Sequence, residues 1–66
     1  MKKIQEFSTN QCEVEVYDTE ILVEFWRVFM IKSRHRKGGK ITTRFGTKGQ
    51  IDSIVKTYKK ETRFKL

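Results

Sequence analysis

The sequence predicts an α+β fold, in which a small antiparallel sheet of about three strands packs on one C-terminal helix. Residues 12–17 alternate between apolar and acidic side chains, which is the period-two pattern of a half-buried strand. A glycine pair at 38–39 separates two stretches rich in β-branched and aromatic residues, as in a hairpin. Apolar residues then recur at helical spacing over 51–58. One helix opposite a sheet is the expected compact arrangement.

The length of 66 residues limits the chain to one domain, residues 1–66, in which the ends 1–8 and 62–66 are expected to be loose. A domain of this size buries only about 60% of its unfolded surface, which argues against a deep catalytic cleft. There is no signal-peptide pattern and no run of about 20 apolar residues to span a membrane. We therefore expect an intracellular, cytoplasmic protein without a membrane partner.

The strand predictions follow from residue type along the chain. The alternating segment 12–17 is the first strand, and Asp18-Thr19-Glu20 is the predicted turn after it. The second strand runs from Ile21 to Arg36, and because 16 residues is long for one strand we expect a bulge or bend near 26–29. Residues 41–45 form the returning strand of a hairpin.

The length of that hairpin loop decides which side chains share a face. A three-residue loop (Gly38, Gly39, Lys40) pairs Ser33 with Phe45, whereas a two-residue loop would mix apolar and cationic residues. The three-residue loop is favoured because it groups the apolar side chains. It predicts that the helix packs on Phe29, Ile31, Ile41 and Phe45. The opposite face would carry Lys32, Arg34, Arg36, Thr42 and Arg44.

The C-terminal helix has clear sequence signals. Thr47 is a candidate N-cap, and Gln50 three residues later completes a capping-box pattern. Ile51, Ile54, Val55 and Tyr58 form one apolar stripe over about three to four turns. The stripe predicts which side of the helix packs on the sheet.

The net charge of +7 is unevenly distributed. Residues 1–31 hold three basic and six acidic groups, or −3, whereas residues 32–66 hold twelve basic and two acidic groups, or +10. This asymmetry indicates that one surface faces an anionic partner, although a generally basic soluble protein would also show a positive total.

Duplex DNA is the partner that these residues favour. Cationic side chains on two adjacent strands repel each other, which destabilises the sheet, and a bound anionic ligand removes this repulsion. A β-ribbon fits the roughly 12 Å major groove, where arginines can read guanine edges and lysines or threonines hold phosphates. The alternative is a solvated face whose charges prevent aggregation. The predicted DNA-binding residues are Lys32, Arg34, Arg36, Lys37, Lys40, Thr42, Arg44 and Lys48.

The stretch from Trp26 to Lys60 resembles the AP2-like arm-type DNA-binding domains that precede the catalytic domain of many phage and transposon integrases. The likeness rests on the order strand, "KGGK" turn, strand "ITTRFGTKGQ" and helix "IDSIVKTYKK". Phe45-Gly46-Thr47-Lys48 matches the family's helix entry, but Ile51 replaces its usual alanine. The resemblance implies a sheet that enters the major groove, in a stand-alone phage or mobile-element regulator.

A weaker likeness connects "WRVFMI" and "GGKITTR" with the seven-kilodalton archaeal chromatin proteins. It implies that Trp26, Val28, Met30 and Arg44 contact DNA. From residue type alone, Trp26, Val28 and Met30 could instead form a second small core under residues 1–11, covered by Ile4 and Phe7. If exposed, they would mark an interaction surface.

Patterns for catalysis and for cofactors are missing, so we predict neither an enzyme nor a cofactor or metal. The two adjacent glycines lack the spacing of a nucleotide-binding loop, and the single His35 has no zinc-ligand companions. Cys12 is predicted to be a small apolar core residue, since its acidic neighbours would not stabilise a thiolate. Glu13 and Glu15 share a side of their strand but have no further metal ligands.

Two other functions remain open. The acidic N-terminal half is not needed for DNA binding, and it favours a small phage-type inhibitor or modulator that binds a host enzyme. RNA or single-strand binding is the third possibility, with Phe25 and Trp26 stacking on bases.

Overall fold

Four antiparallel strands form one sheet in the order β1-β2-β3-β4, and one helix follows the last strand. A computed structural model describes the backbone of residues 1–64 and the side chains of residues 1–60. The elements are β1 (Lys2–Ser8), β2 (Cys12–Val23), β3 (Trp26–His35), β4 (Ile41–Gly46) and α1 (Lys48–Phe64). The α+β class is confirmed, with four strands in place of about three.

The additional strand is β1, which lies in the segment predicted to be loose. It pairs with β2 from Lys2 opposite Asp18 to Ser8 opposite Glu13, with a register irregularity between Lys3 and Gln5. Phe7 turns toward the helix and packs against the core. At the other end of the chain, the helix continues to Phe64, and residues 65–66 of the predicted loose end lie outside the described residues.

The predicted turn at Asp18-Thr19-Glu20 is wrong: these residues form a bulge inside the long strand β2. Glu20 adopts a φ of 63°, and the chain continues to Val23 before it reverses at Glu24 and Phe25. Glu24 has a φ of 59°. Propensity rules assign this left-handed backbone to glycine or asparagine, so residue type alone did not predict the turn.

The Asp18 carboxylate and the Thr19 hydroxyl both hold the bulge, and Thr19 Oγ1 donates to the Val28 carbonyl at 2.7 Å. Asp18 accepts hydrogen bonds from both Nε and a terminal nitrogen of Arg27, at 2.9 and 3.0 Å, and from the backbone N–H of Glu20 at 2.8 Å. The Arg27 guanidinium, followed by the Glu20 N–H, holds the pKa of Asp18 below its ordinary value. The ionised form is therefore favoured in the folded chain.

We expect Asp18→Asn to destabilise the protein more at pH 7 than at pH 2.5. A carboxylate with a depressed folded-state pKa stabilises the fold above its unfolded-state pKa, and the contribution disappears as pH falls through the folded-state value. Urea unfolding of both chains at the two pH values measures this difference. An equal loss of stability at both values would contradict the ionic role of Asp18.

The hairpin between β3 and β4 has a different register from the predicted one. The observed pairing places Ser33 opposite Thr42 and Ile31 opposite Arg44, because the loop has four residues (36–39) between His35 and Lys40. The strand is displaced by three positions from the predicted pairing of Ser33 with Phe45. Since this number is odd, the two faces of β4 are exchanged.

The core lies between the sheet and the helix. It consists of Val14, Val16, Ile31, Ile51 and Val55, with Phe7, Cys12, Phe29, Ile54 and Tyr58 packed around it. The predicted apolar stripe of the helix and the predicted positions of Phe29, Ile31 and Cys12 are confirmed. The prediction that Ile41 and Phe45 belong to the core is wrong, because they are 52% and 63% exposed on the other face of the sheet.

The helix begins with the predicted capping box. The Thr47 N–H donates to Gln50 Oε1 at 2.9 Å, and the Gln50 N–H donates to Thr47 Oγ1 at 3.3 Å. Tyr58 on the packed side donates its hydroxyl to Ser33 Oγ at 2.9 Å. This hydrogen bond fixes the helix across the buried part of β3.

Candidate nucleic-acid interface

The cationic hairpin, defined as residues 32–44, consists of the last four residues of β3, the loop and the first four residues of β4. It carries six lysines and arginines and no acidic residue: Lys32, Arg34, Arg36, Lys37, Lys40 and Arg44. β4 is an edge strand, and residues 36–45 are all exposed to solvent. The hairpin therefore forms a positively charged edge of the sheet.

The loop at the end of this hairpin has a defined backbone. The His35 N–H donates to the Lys40 carbonyl at 2.8 Å, and the Gly39 N–H donates to the His35 carbonyl at 3.1 Å. Gly38 and Gly39 have φ values of 89° and 69°, which residues other than glycine rarely adopt. The Arg36 N–H also donates to the Gln11 carbonyl at 2.8 Å, which attaches the loop to the β1–β2 turn.

Three cations at this loop have no carboxylate partner among the side chains of residues 1–60. Among the side chains that the structure describes, Arg36, Lys37 and Lys40 form no ion pair. All three are exposed. We call these three residues the cationic tip. Like-charged side chains this close in sequence favour an anionic ligand.

The remaining predicted residues do not lie on one face. Lys32 and Arg34 point away from the helix, on the side that we call the open face, whereas Thr42 and Arg44 share the helix side with Ser33 and Ile31. The predicted grouping of Arg34 beside Arg44 is therefore wrong, because it depended on the three-residue loop. Arg44 is nevertheless exposed, since β4 is at the edge of the sheet.

Lys48 lies in the first turn of the helix, and its ammonium group is 2.8 Å from Asp52 Oδ1. Asp52 is one helical turn further along, so this is an exposed i,i+4 pair. A lysine with a carboxylate partner contributes less to an external anion site than the three residues of the cationic tip.

The open face contains a balanced network of charges. Lys3 is 2.9 Å from Glu15 and 3.4 Å from Glu6, Arg34 is 4.0 Å from Glu13, and Lys32 stands opposite Glu15 in the register. The hydrogen bond from Lys3 lowers the pKa of Glu15, and the same bond raises the pKa of Lys3. Three acids thus oppose three bases on this face: Glu6, Glu13 and Glu15 against Lys3, Lys32 and Arg34.

The sequence analysis missed this balance because it treated the two charged segments separately. The acidic alternation of β2 and the cationic alternation of β3 lie side by side in the sheet, with Glu13 opposite Arg34 and Glu15 opposite Lys32. Opposite charges on directly paired residues are favourable. This pairing could have been found by aligning the two alternating patterns as neighbouring strands.

Trp26, Val28 and Met30 also lie on the open face, beyond the charged network. Trp26 is 64% exposed, and Val28 and Met30 are partly exposed. The predicted cover is not formed, because Phe7 packs on the helix side and Ile4 is itself exposed. The hypothesis of a second core is therefore wrong, and the three side chains belong to a larger apolar surface.

The described residues offer no cluster of three or more histidine, cysteine or carboxylate side chains that could hold a metal. Glu13 and Glu15 are engaged with Arg34 and Lys3. The His35 ring lies at the end of β3, with Nδ1 3.0 Å from the Lys37 carbonyl and 3.2 Å from its N–H. In the part of the chain described, no helix has the length and apolar character needed to cross a membrane.

Comparison with known proteins gave no relatives. No protein-family model matches this chain, and comparisons with curated proteins and with solved structures also found no match.

Proposed function

We propose that this protein binds double-stranded DNA through the cationic hairpin, with the cationic tip as the main contact to phosphates. The observation that carries the proposal is the presence of six cations and no acid in residues 32–44; the three at the loop form no ion pair with any side chain that the structure describes. Phosphate contacts by lysine and arginine supply most of the affinity for DNA. The resemblance of this segment to AP2-like domains supports the same ligand.

The shape of the hairpin suits this role. A two-stranded ribbon fits the major groove of B-DNA, and β4 lies at the edge of the sheet. No heavy atom lies within 4 Å of a side-chain position at Gly38 or Gly39, so the loop backbone is open to a ligand. Arg36 and Arg44 have the bidentate geometry to contact bases or phosphates, and Lys37 and Lys40 act as point charges.

Within this proposal the balanced open face has a minor role. Lys32 and Arg34 would have to give up their interactions with Glu15 and Glu13 before contacting a phosphate. Among the described side chains, Arg36, Lys37 and Lys40 have no ion pair to break before they contact a phosphate. We therefore assign the first contacts to the tip, and infer a small regulator of the phage or mobile-element type rather than an enzyme.

The proposal is tested by NMR titration of the protein with a short DNA duplex at 50 mM salt. Amide shifts should cluster in residues 32–44, with the largest at the loop 36–40. Shifts confined to residues 12–28 would overturn the proposal. The same titration with single-stranded DNA and with duplex RNA separates the ligands, because single-strand binding should shift Trp26 and Phe25 through base stacking.

A second candidate function, binding of another protein, is favoured by a different observation. Phe25 in the turn between β2 and β3 is 94% exposed, and Leu22 near the end of β2 is 65% exposed. Apolar side chains this exposed at a loop are typical of interaction sites. A complex with a host protein that survives nuclease treatment and 500 mM salt, and is lost on Phe25→Ser, would establish this function.

A further inference from the structure

We propose that the open face of the sheet binds the open face of a second copy of this chain, forming a two-fold dimer of stacked sheets. This inference is independent of DNA binding. It rests on an apolar surface at one end of the open face and on the charge balance at the other end.

The apolar surface follows the observed strand register. On the open face Val23 pairs with Trp26, Ile21 pairs with Val28, and Met30 pairs with Phe45. We call these six residues the apolar patch. Cross-strand neighbours lie about 5 Å apart, and Trp26, Val28 and Met30 stand at alternate positions of β3, so the three pairs are adjacent on one face. The patch is left uncovered because the helix packs on the other side of the sheet.

Neighbouring strands also leave the patch open. β1 pairs with β2 only as far as Asp18, and β4 pairs with β3 only as far as Phe29. Residues 21–28 therefore extend beyond both edge strands as a two-stranded ribbon. An isolated ribbon of two strands is at best marginally stable in water. Contact with a further sheet would bury its apolar side and order it.

The size of the patch is suited to a dimer. Trp26 and Phe45 are 64% and 63% exposed, and Ile21 and Val23 are 56% and 57% exposed. Aromatic side chains bury about 150–250 Å² each, so the patch exposes on the order of 500 Å² of apolar surface. That area is near the upper end for a monomer, about 300–600 Å². It is also a large part of the roughly 800 Å² that each partner contributes to a standard interface.

The charges identify the occupant as a second copy. The chain carries +7 overall, so most of its surface would repel an identical molecule. The open face is an exception, since Lys3, Lys32 and Arg34 are opposed by Glu6, Glu13 and Glu15. A face without net charge can approach its own copy without repulsion, whereas a strongly acidic or basic partner would gain little from it.

A two-fold axis through the patch gives a consistent arrangement. The apolar residues of the two copies meet at the centre, as in a sandwich of aligned sheets about 10 Å apart. The charged network of each copy lies to one side of the axis, where it remains accessible to water. The cationic tips lie beyond that network and stay exposed, so the dimer and DNA binding are compatible.

Sedimentation equilibrium of the wild-type chain tests the proposal, with concentrations from 1 to 500 μM at 150 and 500 mM salt after nuclease treatment. We expect a mass that rises with concentration from 7.9 kDa toward twice that value, with no weakening at the higher salt. A mass that stays at 7.9 kDa at every concentration and both salt levels would overturn the dimer and leave the patch to a different protein.

Matched lysine substitutions locate the interface. Phe45→Lys in the patch should raise the dissociation constant of the dimer at least tenfold, whereas Phe25→Lys at the turn should change it less than twofold. Both residues are largely exposed, so circular dichroism should show both variants folded. Loss of the dimer with Phe25→Lys but not with Phe45→Lys would place the contact at the turn and contradict the proposal.

Discussion

Replacement of Ile51 by alanine is expected to lower the free energy of unfolding by about 2–5 kcal/mol. Ile51 is completely buried, and it occupies the centre of the cluster formed with Val14, Val16, Ile31 and Val55. Domains of this size have a total stability of roughly 3–10 kcal/mol. The substitution should therefore unfold a large fraction of the molecules at 25 °C, measured by urea unfolding followed by circular dichroism.

Ile41→Ala is the matched control, because it removes the same atoms from a side chain that is 52% exposed. Its cost should be below about 1 kcal/mol, as expected for a surface position. If Ile51→Ala proves too unstable to study, Ile51→Val should still show a loss of about 0.5–1.5 kcal/mol. The pair also tests the register of β4: an Ile41→Ala effect as large as that of Ile51→Ala would favour the three-residue loop.

The helix and its packing were predicted well because their signals are local. The capping box needs only Thr47 and Gln50, three residues apart, and both of its hydrogen bonds are present. The stripe that contains Ile51 and Val55 depends only on helical periodicity. Such features depend only on residues within one or two helical turns of each other, so they can be recognised directly in the sequence.

The sheet was predicted less completely because its pairings are not local. The loop between His35 and Lys40 has one residue more than predicted and begins two residues earlier, so β4 is displaced by three positions and its faces are exchanged. Apolar grouping was not sufficient to choose the loop. The reversal at Glu24 uses a positive φ that glutamate rarely adopts, so no turn signal marked it. The long β-rich run was consequently read as one strand.

The same errors changed the candidate site. With β4 turned over, Phe45 joined Met30 on the open face, and Arg44 moved to the helix side. The predicted cationic face was replaced by two separate surfaces, the cationic tip and the apolar patch. The position of the tip was less sensitive to the register, because any tight turn at Gly38 and Gly39 exposes the neighbouring lysines and arginine.

The double variant Lys37→Gln/Lys40→Gln is expected to bind a DNA duplex about 100-fold more weakly than the wild-type chain at 50 mM salt. Each phosphate contact contributes about 0.9 to the slope of log K against the logarithm of the salt concentration. At 50 mM salt, the loss of one such contact lowers the binding constant about tenfold. Loss of two contacts should also reduce the slope by about 1.8. Fluorescence anisotropy of a labelled duplex at several salt concentrations measures both quantities.

Lys2→Gln/Lys56→Gln supplies the control, because it removes the same two charges from β1 and from the helix. If binding depended only on the net charge, both pairs would reduce the +7 chain to +5 and weaken binding equally. Direct contact by the tip predicts a different result, because only Lys37 and Lys40 would release counterions from the DNA. The control should therefore keep the wild-type slope, and equal losses in the two variants would contradict a site at the cationic tip.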